Sequence, residues 1–487
     1  MKRKIISLLL IVLLLISIMP ATAGAEETGT VNHGICGSGV AWFYNDEEQT
    51  LTITGEGAMY DYYYWDVETQ MPVYIPREWE SLLENVKHIV IEEGVTYIGA
   101  YAFSHTMLVA QNVTLPGSLT GIGEFAFEWA VIEKVYVPDM TTWLNLEIAG
   151  NYASPFCMQR GGILYVGGVP ATDVVIPYGV SEIKDNCFQS YDALTSVAIP
   201  DTVKRIGKQA FAHNVYAYGN ATMLTEVIIP ASVEYIGDDA FMTKDSLNKI
   251  VILNPDCVIS PIMYSAEMYT YYCPPIYDED GNYAGAPEDV SWIFAESSFP
   301  RATIYGFANS TAEAYAEATH LPFVTLREYE IADGVSNDIY KGQSLELHID
   351  ADMGNFDRLL IDGYTVGAEN FVLDAEKKQI MIKPEFLQTM SLREHSVTVL
   401  FCDGVAATTV NLKDVLYGDV NDDGKVNTQD RMVLTRYLAG MTGYTADMID
   451  MAAADVNCDG TVNAKDRMIL TRYLAQWTAY PKLPHRA

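Results

Sequence analysis

From about Val86 the chain repeats one phrase of apolar and polar positions, V-x-I-P-x-x-V-x-x-I-G-x-x-A-F. Full copies begin at Ile89, Val113, Val174, Val197 and Val227. The equivalent strand residues are Ile91, Leu115, Val137, Ile176, Ile199, Ile229 and Ile252, at spacings of 24, 22, 39, 23, 30 and 23. A unit near 23 residues with insertions is a solenoid period. Each unit predicts a short strand, ended by Pro116, Pro138, Pro177, Pro200 or Pro230, because proline cannot donate to a ladder. The Val, Ile and Phe positions then point into a core that one coil cannot close alone, so coils must stack.

The pattern changes on both sides of the repeats. Trp42 to Tyr44 and Leu51 to Thr54 alternate around Asn45-Asp-Glu-Glu48, which predicts a hairpin covering the open end of the stack. The repeat lapses over 138–172, where one copy loses its second half, and over 255–300, a long Pro- and Tyr-rich insertion. Thr303 to Gly306 reads as a last strand, Ser310 as the cap of a helix running to about His320, and Phe323 to Leu326 as its closure. The five full copies, the Cys36-Gly37 start and this ending resemble the BspA-like bacterial leucine-rich repeat family over residues 35–326. The resemblance implies a binding surface for protein or cell-surface ligands and no chemistry. Beyond it, strand-like runs at Ser344–Ile349, Leu359–Ile361, Gln379–Ile382, Ser396–Phe401 and Ala407–Leu412 are divided by Gly, Asn and Asp turns. Asp362-Gly363-Tyr364 and the Leu392–Gly404 phrase resemble an Ig-like module, which implies a small β-sandwich.

The last segment holds one pattern written twice, from Gly418 and from Ala454, with an offset of 36 residues and 16 of 23 positions identical. Each copy opens D-x-N-x-D-G-x-V-N-x-x-D. A hard cation such as calcium takes about six or more oxygens, and a 12-residue loop offers them at positions 1, 3, 5, 7, 9 and 12. The first loop supplies Asp419, Asn421, Asp423, the Lys425 carbonyl, Asn427 through water, and Asp430. The second supplies Asp455, Asn457, Asp459, the Thr461 carbonyl, Asn463 and Asp466. Gly424 and Gly460 stand at position 6, where the chain turns with positive φ. Position 12 is Asp, not Glu, and the first loop has no room for an entering helix, so this is not an ordinary EF-hand. Each loop predicts an exiting amphipathic helix, with Met432, Val433, Tyr437 and Leu438 on the apolar face of one and Met468, Ile469, Tyr473 and Leu474 on the other.

Two such loop–helix units resemble a type I dockerin, which implies two bound Ca2+ ions and a cohesin domain of a scaffoldin as partner. In that family the partner is read at loop positions 10 and 11 and on the exiting helix, which maps here onto Thr428, Gln429, Thr435 and Arg436, then Ala464, Lys465, Thr471 and Arg472. The helix pairs agree between copies and the loop pairs differ, which suggests one docking orientation is favoured. The alternative is a duplicated calcium-stabilised unit with no partner.

Composition narrows the setting. Met1-Lys-Arg-Lys4, the apolar run Ile5–Met19 and small residues near Ala25 read as a signal peptide over 1–25. The formal charge is −34, and −37 once Lys2, Arg3 and Lys4 leave with that peptide. Such a surface excludes nucleic acid and anionic membranes as partners, and no other stretch is long and apolar enough to span a bilayer. Seven cysteines cannot all pair; mostly free thiols are expected, with Cys257 and Cys273 the one disulfide to check and Cys458 exposed in its loop. No catalytic constellation is found: Gly37-Ser38-Gly39 is not a nucleophile elbow, and no H-E-x-x-H or phosphate loop occurs. Two aromatic patches, Tyr60–Trp65 and the 264–292 stretch with Tyr269, Tyr271, Tyr272, Tyr277 and Tyr283, suit either packing or sugar stacking. Asp278–Asn282 reads as a turn, not a third calcium loop.

The expected fold is therefore multidomain: signal peptide 1–25, N-terminal cap with a β-hairpin 26–85, a β-rich leucine-rich-repeat solenoid 86–326, a small Ig-like β-sandwich 327–412 and an all-α calcium-binding dockerin 413–482. The expected function is a secreted, non-catalytic binding protein, delivered by its dockerin to a cohesin-bearing, polysaccharide-degrading complex. A carbohydrate-binding or glycan-acting subunit and a structural spacer are the other readings.

Overall fold

A computed structural model describes residues 32–484 apart from 69–70, 106, 151, 158–161, 214–222, 243–245, 261–275, 278–282, 286–301, 333–337 and 342–343. The signal-peptide reading, Cys273, Tyr264, Tyr269, Tyr271, Tyr272, Trp292 and the turn at 278–282 lie outside the described residues.

The repeat phrase folds as two walls around one core. One wall begins with an eight-stranded sheet, in spatial order His33–Gly37, Val40–Asn45, Thr50–Gly55, His88–Ile91, Val109–Thr114, Val131–Val137, Ile163–Val166 and Val169–Pro170. It is followed by the pair Asp173–Val175 and Ser196–Ala198, then by Glu226–Ile229, Lys249–Ile252, Thr303–Gly306 and Phe323–Thr325. The opposite wall is a row of short parallel strands, among them Val95–Ile98, Gly121–Ile122, Glu182–Ile183, Arg205–Ile206 and Tyr235–Ile236. Alternation decides which side chains go inside: Ile89, Val113, Val135, Val174, Val227 and Ile250 all face the shared core. The Phe position of each copy stacks on the next, with ring centroids 5.3 Å apart for Phe103 and Phe127, 5.4 Å for Phe188 and Phe211, and 5.1 Å for Phe211 and Phe241.

The predicted hairpin forms, as Val40–Asn45 against Thr50–Gly55. It does more than cover an end. Thr50–Gly55 pairs in parallel with His88–Ile91, so Trp42, Leu51 and Ile53 enter the same core as the repeats. In the defective copy a short helix, Met140–Leu144, capped by Asp139, replaces the missing half and buries Trp143. Ser310 caps the helix Thr311–Ala318 by accepting from the Glu313 amide.

One feature of the coils escaped the periodicity. The residue two before each core Phe lies in the left-handed region: Tyr101, Phe125, Asn186, Gln209 and Asp239, with φ of 59°, 57°, 58°, 52° and 54°. Asn and Asp tolerate this backbone, but bulky aromatics do so at a cost. In the first coils that cost is offset by stacking across coils, 4.9 Å between Tyr101 and Phe125 and 5.7 Å between Phe125 and Tyr152.

Residues 327–413 form two sheets. One takes Arg327–Glu328, Gly404–Lys413, Glu394–Phe401, Phe356–Ile361 and Tyr364–Thr365 in spatial order, with Asp338–Tyr340 also on Gly404–Lys413. The other takes Leu345–His348, Gln379–Ile382 and Phe371–Asp374. Leu347, Ile380, Val397 and Val399 fill a core that is separate from the solenoid core. The short strand Phe371–Asp374 was not read from the sequence, because Asn370 and Asp374 bracket it like a turn. The C-terminal segment is helical, with Thr428–Leu438, Met451–Ala454 and Ala464–Leu474 around Val420, Leu434, Ile449, Ala454 and Leu470.

Cys36, Cys157, Cys187 and Cys257 are buried and form no disulfide among the described residues. Cys273, the other half of the bridge suggested for Cys257, lies outside them. Burial pushes Cys36 and Cys257 up to about 12, so neither is a reactive thiolate. Cys458 is half-buried and not exposed.

Because Phe211 is stacked on both sides and fully enclosed, Phe211→Ala is predicted to cost about 3–5 kcal/mol. Denaturant unfolding followed by circular dichroism measures it. A loss below about 1 kcal/mol would mean the ladder is not a packing element.

Candidate metal loops and helix-pair face

The two C-terminal loops share one hydrogen-bond plan. Asn427 and Asn463 cap the helices Thr428–Leu438 and Ala464–Leu474, each in a capping box closed by Asp430 or Asp466. Asp430 is fully buried and accepts from the Val420 amide at 2.8 Å, the Asn421 amide at 3.2 Å and the Asn427 amide at 2.7 Å. Asp466 repeats this with the amides of Asn457 at 3.3 Å and Asn463 at 2.9 Å. At the other end of each loop, Asp419 accepts from the Asp423 and Gly424 amides at 3.1 and 2.8 Å, and Asp455 from Asp459 and Gly460 at the same distances. Gly424 and Gly460 take φ of 77° and 84°, as the sequence requires of position 6. The duplication thus extends from sequence to geometry, except that Lys465 pairs with Asp459 at 3.5 Å where the first loop has Gln429.

The residues fit a hard cation in their donor chemistry. Loop positions 1, 3, 5 and 12 all carry oxygen-bearing side chains. Burial pushes the Asp419 carboxyl up to about 6, against the bonds from Asp423 and Gly424, and Asp430 and Asp423 add repulsion. The buried side-chain carbonyl of Asn421 has no hydrogen-bond donor, which is the state of an oxygen that serves a ligand. In the second loop it is the Asn457 amide nitrogen that is buried without a partner. Among the described residues no group of three or more His, Cys, Asp or Glu side chains is gathered as a metal cluster; the loop carboxylates are turned to backbone amides.

The exiting helices lie side by side and form a shallow concavity of about 680 Å³, lined by Arg431, Met432, Thr435, Arg436, their counterparts Arg467, Met468, Thr471, Arg472, and Trp477. The four helix residues carried over from the family, Thr435, Arg436, Thr471 and Arg472, meet here. The four loop residues, Thr428, Gln429, Ala464 and Lys465, stand at the helix starts outside this lining. Met432 and Met468 are corrected: with 41% and 39% of their surface exposed, they belong to the concavity and not to the apolar core face. Val433, Tyr437 and Leu438 do pack on the core. Arg436 bonds the Tyr444 hydroxyl at 2.5 Å and Arg472 the Tyr480 hydroxyl at 2.5 Å, while Trp477 flanks Arg472 at 5.2 Å. These aromatic partners lie beyond the duplicated 23 residues compared in the sequence, which is why they were missed.

The first aromatic patch is divided. Tyr63 and Tyr74 meet Tyr101 edge-on at 5.2 and 5.0 Å, and Tyr62 packs on Trp79 at 5.2 Å. Tyr64 and Trp65 remain about half exposed on the hairpin Tyr63–Asp66 and Met71–Tyr74, and Tyr60 is half exposed just before it. Of the second patch, Tyr277 and Tyr283 lie on a paired strand segment.

The geometry defines a β-rich repeat protein followed by a helical unit with two duplicated oxygen-donor loops. Comparison gives both parts their family. Residues 417–475 match the dockerin type I domain, and residues 80–150 and 167–254 match the BspA type leucine-rich repeat region in six copies. The chain carries a BspA-type leucine-rich repeat region and a C-terminal type I dockerin domain. Dockerins of this type are generally calcium-binding and attach through cohesins, leucine-rich repeats imply a binding role, and neither is a catalytic kind of domain.

Among solved structures, a leucine-rich repeat protein from Eubacterium ventriosum is 14% identical, with TM-score 0.27 over 61% of this chain and 87% of that one. One from Bacteroides ovatus is 16% identical, with TM-score 0.25 over 46% and 66%. A leucine rich cell surface protein from Faecalibacterium prausnitzii is 15% identical, with TM-score 0.19 over 52% and 98%. No curated protein matches the chain. Among the described residues no helix is long and apolar enough to cross a membrane.

Asp430→Ala is predicted to lower the stability of the C-terminal unit by about 2 kcal/mol or more even in chelator, since it strips acceptors from buried amides. Thermal melts with and without chelator read this. An effect confined to calcium-containing buffer would assign Asp430 to the metal alone.

Proposed function

We propose that the chain is a secreted, non-catalytic binding subunit, plugged into a cohesin-bearing scaffold by its calcium-loaded dockerin, with the repeat solenoid taking a protein or surface ligand and residues 327–412 serving as an Ig-like module. The observation that carries this is the concavity shared by the two duplicated helices, whose matched Met, Thr and Arg residues and added Trp477 suit a protein surface. Two calcium ions would be held by Asp419, Asn421, Asp423, the Lys425 carbonyl and Asp430, and by Asp455, Asn457, Asp459, the Thr461 carbonyl and Asp466. Calcium supplies the positive charge that draws these oxygens together, and so fixes the starts of both helices.

A second reading has one observation in its favour: Tyr60, Tyr64 and Trp65 stand half exposed on the first coils, as rings that stack on sugars do. Screening of the full chain on a glycan array separates it. Binding that is lost in Trp65→Ala favours the glycan reading, and no binding leaves the protein-ligand reading.

Calcium is predicted to stabilise the dockerin by about 2.7 kcal/mol per site at a hundredfold excess over its dissociation constant. Asp419→Ala with Asp455→Ala is predicted to abolish capture by a cohesin column while the solenoid stays folded. Capture retained in chelator would contradict the calcium-dependent plug.

A further inference from the structure

The solenoid and the two-sheet unit each carry a row of aliphatic side chains pointing away from its own core. In the solenoid, Val227, Ile229, Ile250 and Ile252 face inward, which turns Ile228 and Val251 outward. In the two-sheet unit, Leu359, Ile361, Val399 and Phe401 face inward, which turns Leu360 and Leu400 outward. These outward residues are not left to water. Val251, Leu253, Leu326, Leu360, Leu400 and Val405 form one buried cluster, with Ile228, Tyr305 and Phe307 packed on it. Neither unit covers its own members of this cluster; each is covered by the other.

Polar groups meet in register around the apolar patch. Glu226 and Lys249, on the solenoid sheet, are matched by Arg358 and Asp357: Arg358 meets Glu226 at 2.8 Å and Lys249 meets Asp357 at 3.2 Å. Farther along, the Arg393 guanidinium lies 3.6 Å from the centre of the Tyr178 ring, the Tyr364 hydroxyl donates to the Ile176 carbonyl at 2.7 Å, and the Asp201 amide donates to the Asp362 carbonyl at 3.1 Å. Arg393 is itself held by Asp362 at 2.5 Å. At Gly363, with φ of 86°, a Cβ would stand 2.3 Å from the Ile199 carbonyl oxygen, so only glycine permits the approach.

We infer that residues 327–412 are a resident occupant of the solenoid's sheet face, locked over the coils from Tyr178 to Tyr305, and that an external ligand reaching this face is confined to the coils before them. The earlier stretch carries Phe43, Thr52, Val90, Thr114, Tyr136 and Tyr165 along one row, with Thr52 buried, Tyr136 and Tyr165 stacked at 4.8 Å and Lys134 beside them. Aliphatic rows buried only between two units make those units one cooperative body, because separating them exposes both rows at once. The inference is independent of what the dockerin binds.

Hydrogen exchange of the full chain along a denaturant series, read by mass spectrometry, tests it. Leu347→Ala weakens the core of the two-sheet unit far from the contact. In the otherwise native chain it is expected to lower the unfolding midpoints of that unit and of the coils at 226–229 and 249–252 together, with protection in those coils falling about tenfold. In a Leu400→Asp background, and separately in the milder Val251→Ala with Leu400→Ala background, Leu347→Ala is expected to move only the two-sheet unit. If Leu347→Ala leaves the coils untouched in the otherwise native chain, the unit is an independent bead and the inference fails. If the coils still respond when the contact is broken in either background, coupling does not run through this contact and the inference fails as well.

Discussion

Apolar side chains that no single unit can cover set the form of this molecule. A coil near 23 residues closes nothing by itself; its Val, Ile and Phe residues are buried in one core shared with the neighbouring coils, where Phe rings stack in succession. The same shortage recurs one level up. Outward rows on the later coils and on the two-sheet unit are buried only by each other. The N-terminal strands obey the rule too, adding Trp42, Leu51 and Ile53 to the end of the stack.

The C-terminal unit is built on a different interaction. Its apolar core is small, and order comes from carboxylates that are taken out of water and given to backbone amides. Asp430 and Asp466 each join a loop to the helix that leaves it, and Asp419 and Asp455 each close the loop's turn. Seven aspartates crowded into two loops repel one another, and a divalent cation would remove that penalty. In the proposed role structure and attachment are coupled, since the face proposed to meet a partner is formed by the same helices the loops start.

Much of this was legible in the chain itself. Alternation and proline placement gave the coil strands, and the duplicated loop gave the two exiting helices and the positive-φ glycines, while the capping boxes of Asn427 and Asn463 went unread because those residues were assigned to the metal. What was missed has physical reasons. The left-handed positions at Tyr101 and Phe125 are invisible to hydrophobic periodicity, because a turn residue and a core residue can both be aromatic. Met432 and Met468 keep the helical spacing of core residues, yet the narrow contact between two short helices leaves them outside. The outward row was not distinctive in the letters: Ile228 and Val251 are apolar where earlier coils carry Thr52, Val90 and Thr114, so Val90 shows the same signal on the earlier stretch. A strand apolar on both faces is often covered on both faces, but periodicity alone does not say which of these strands meets the two-sheet unit.

The proposed role requires metal-dependent shaping of residues 417–475 into a plug that carries the rest of the chain as cargo. Isothermal titration of the full chain with calcium addresses this most directly. Uptake of two ions per chain, each site lost separately with Asp419→Ala and Asp455→Ala, is the predicted result. Absence of uptake at millimolar calcium, or uptake unaffected by both substitutions, would contradict it.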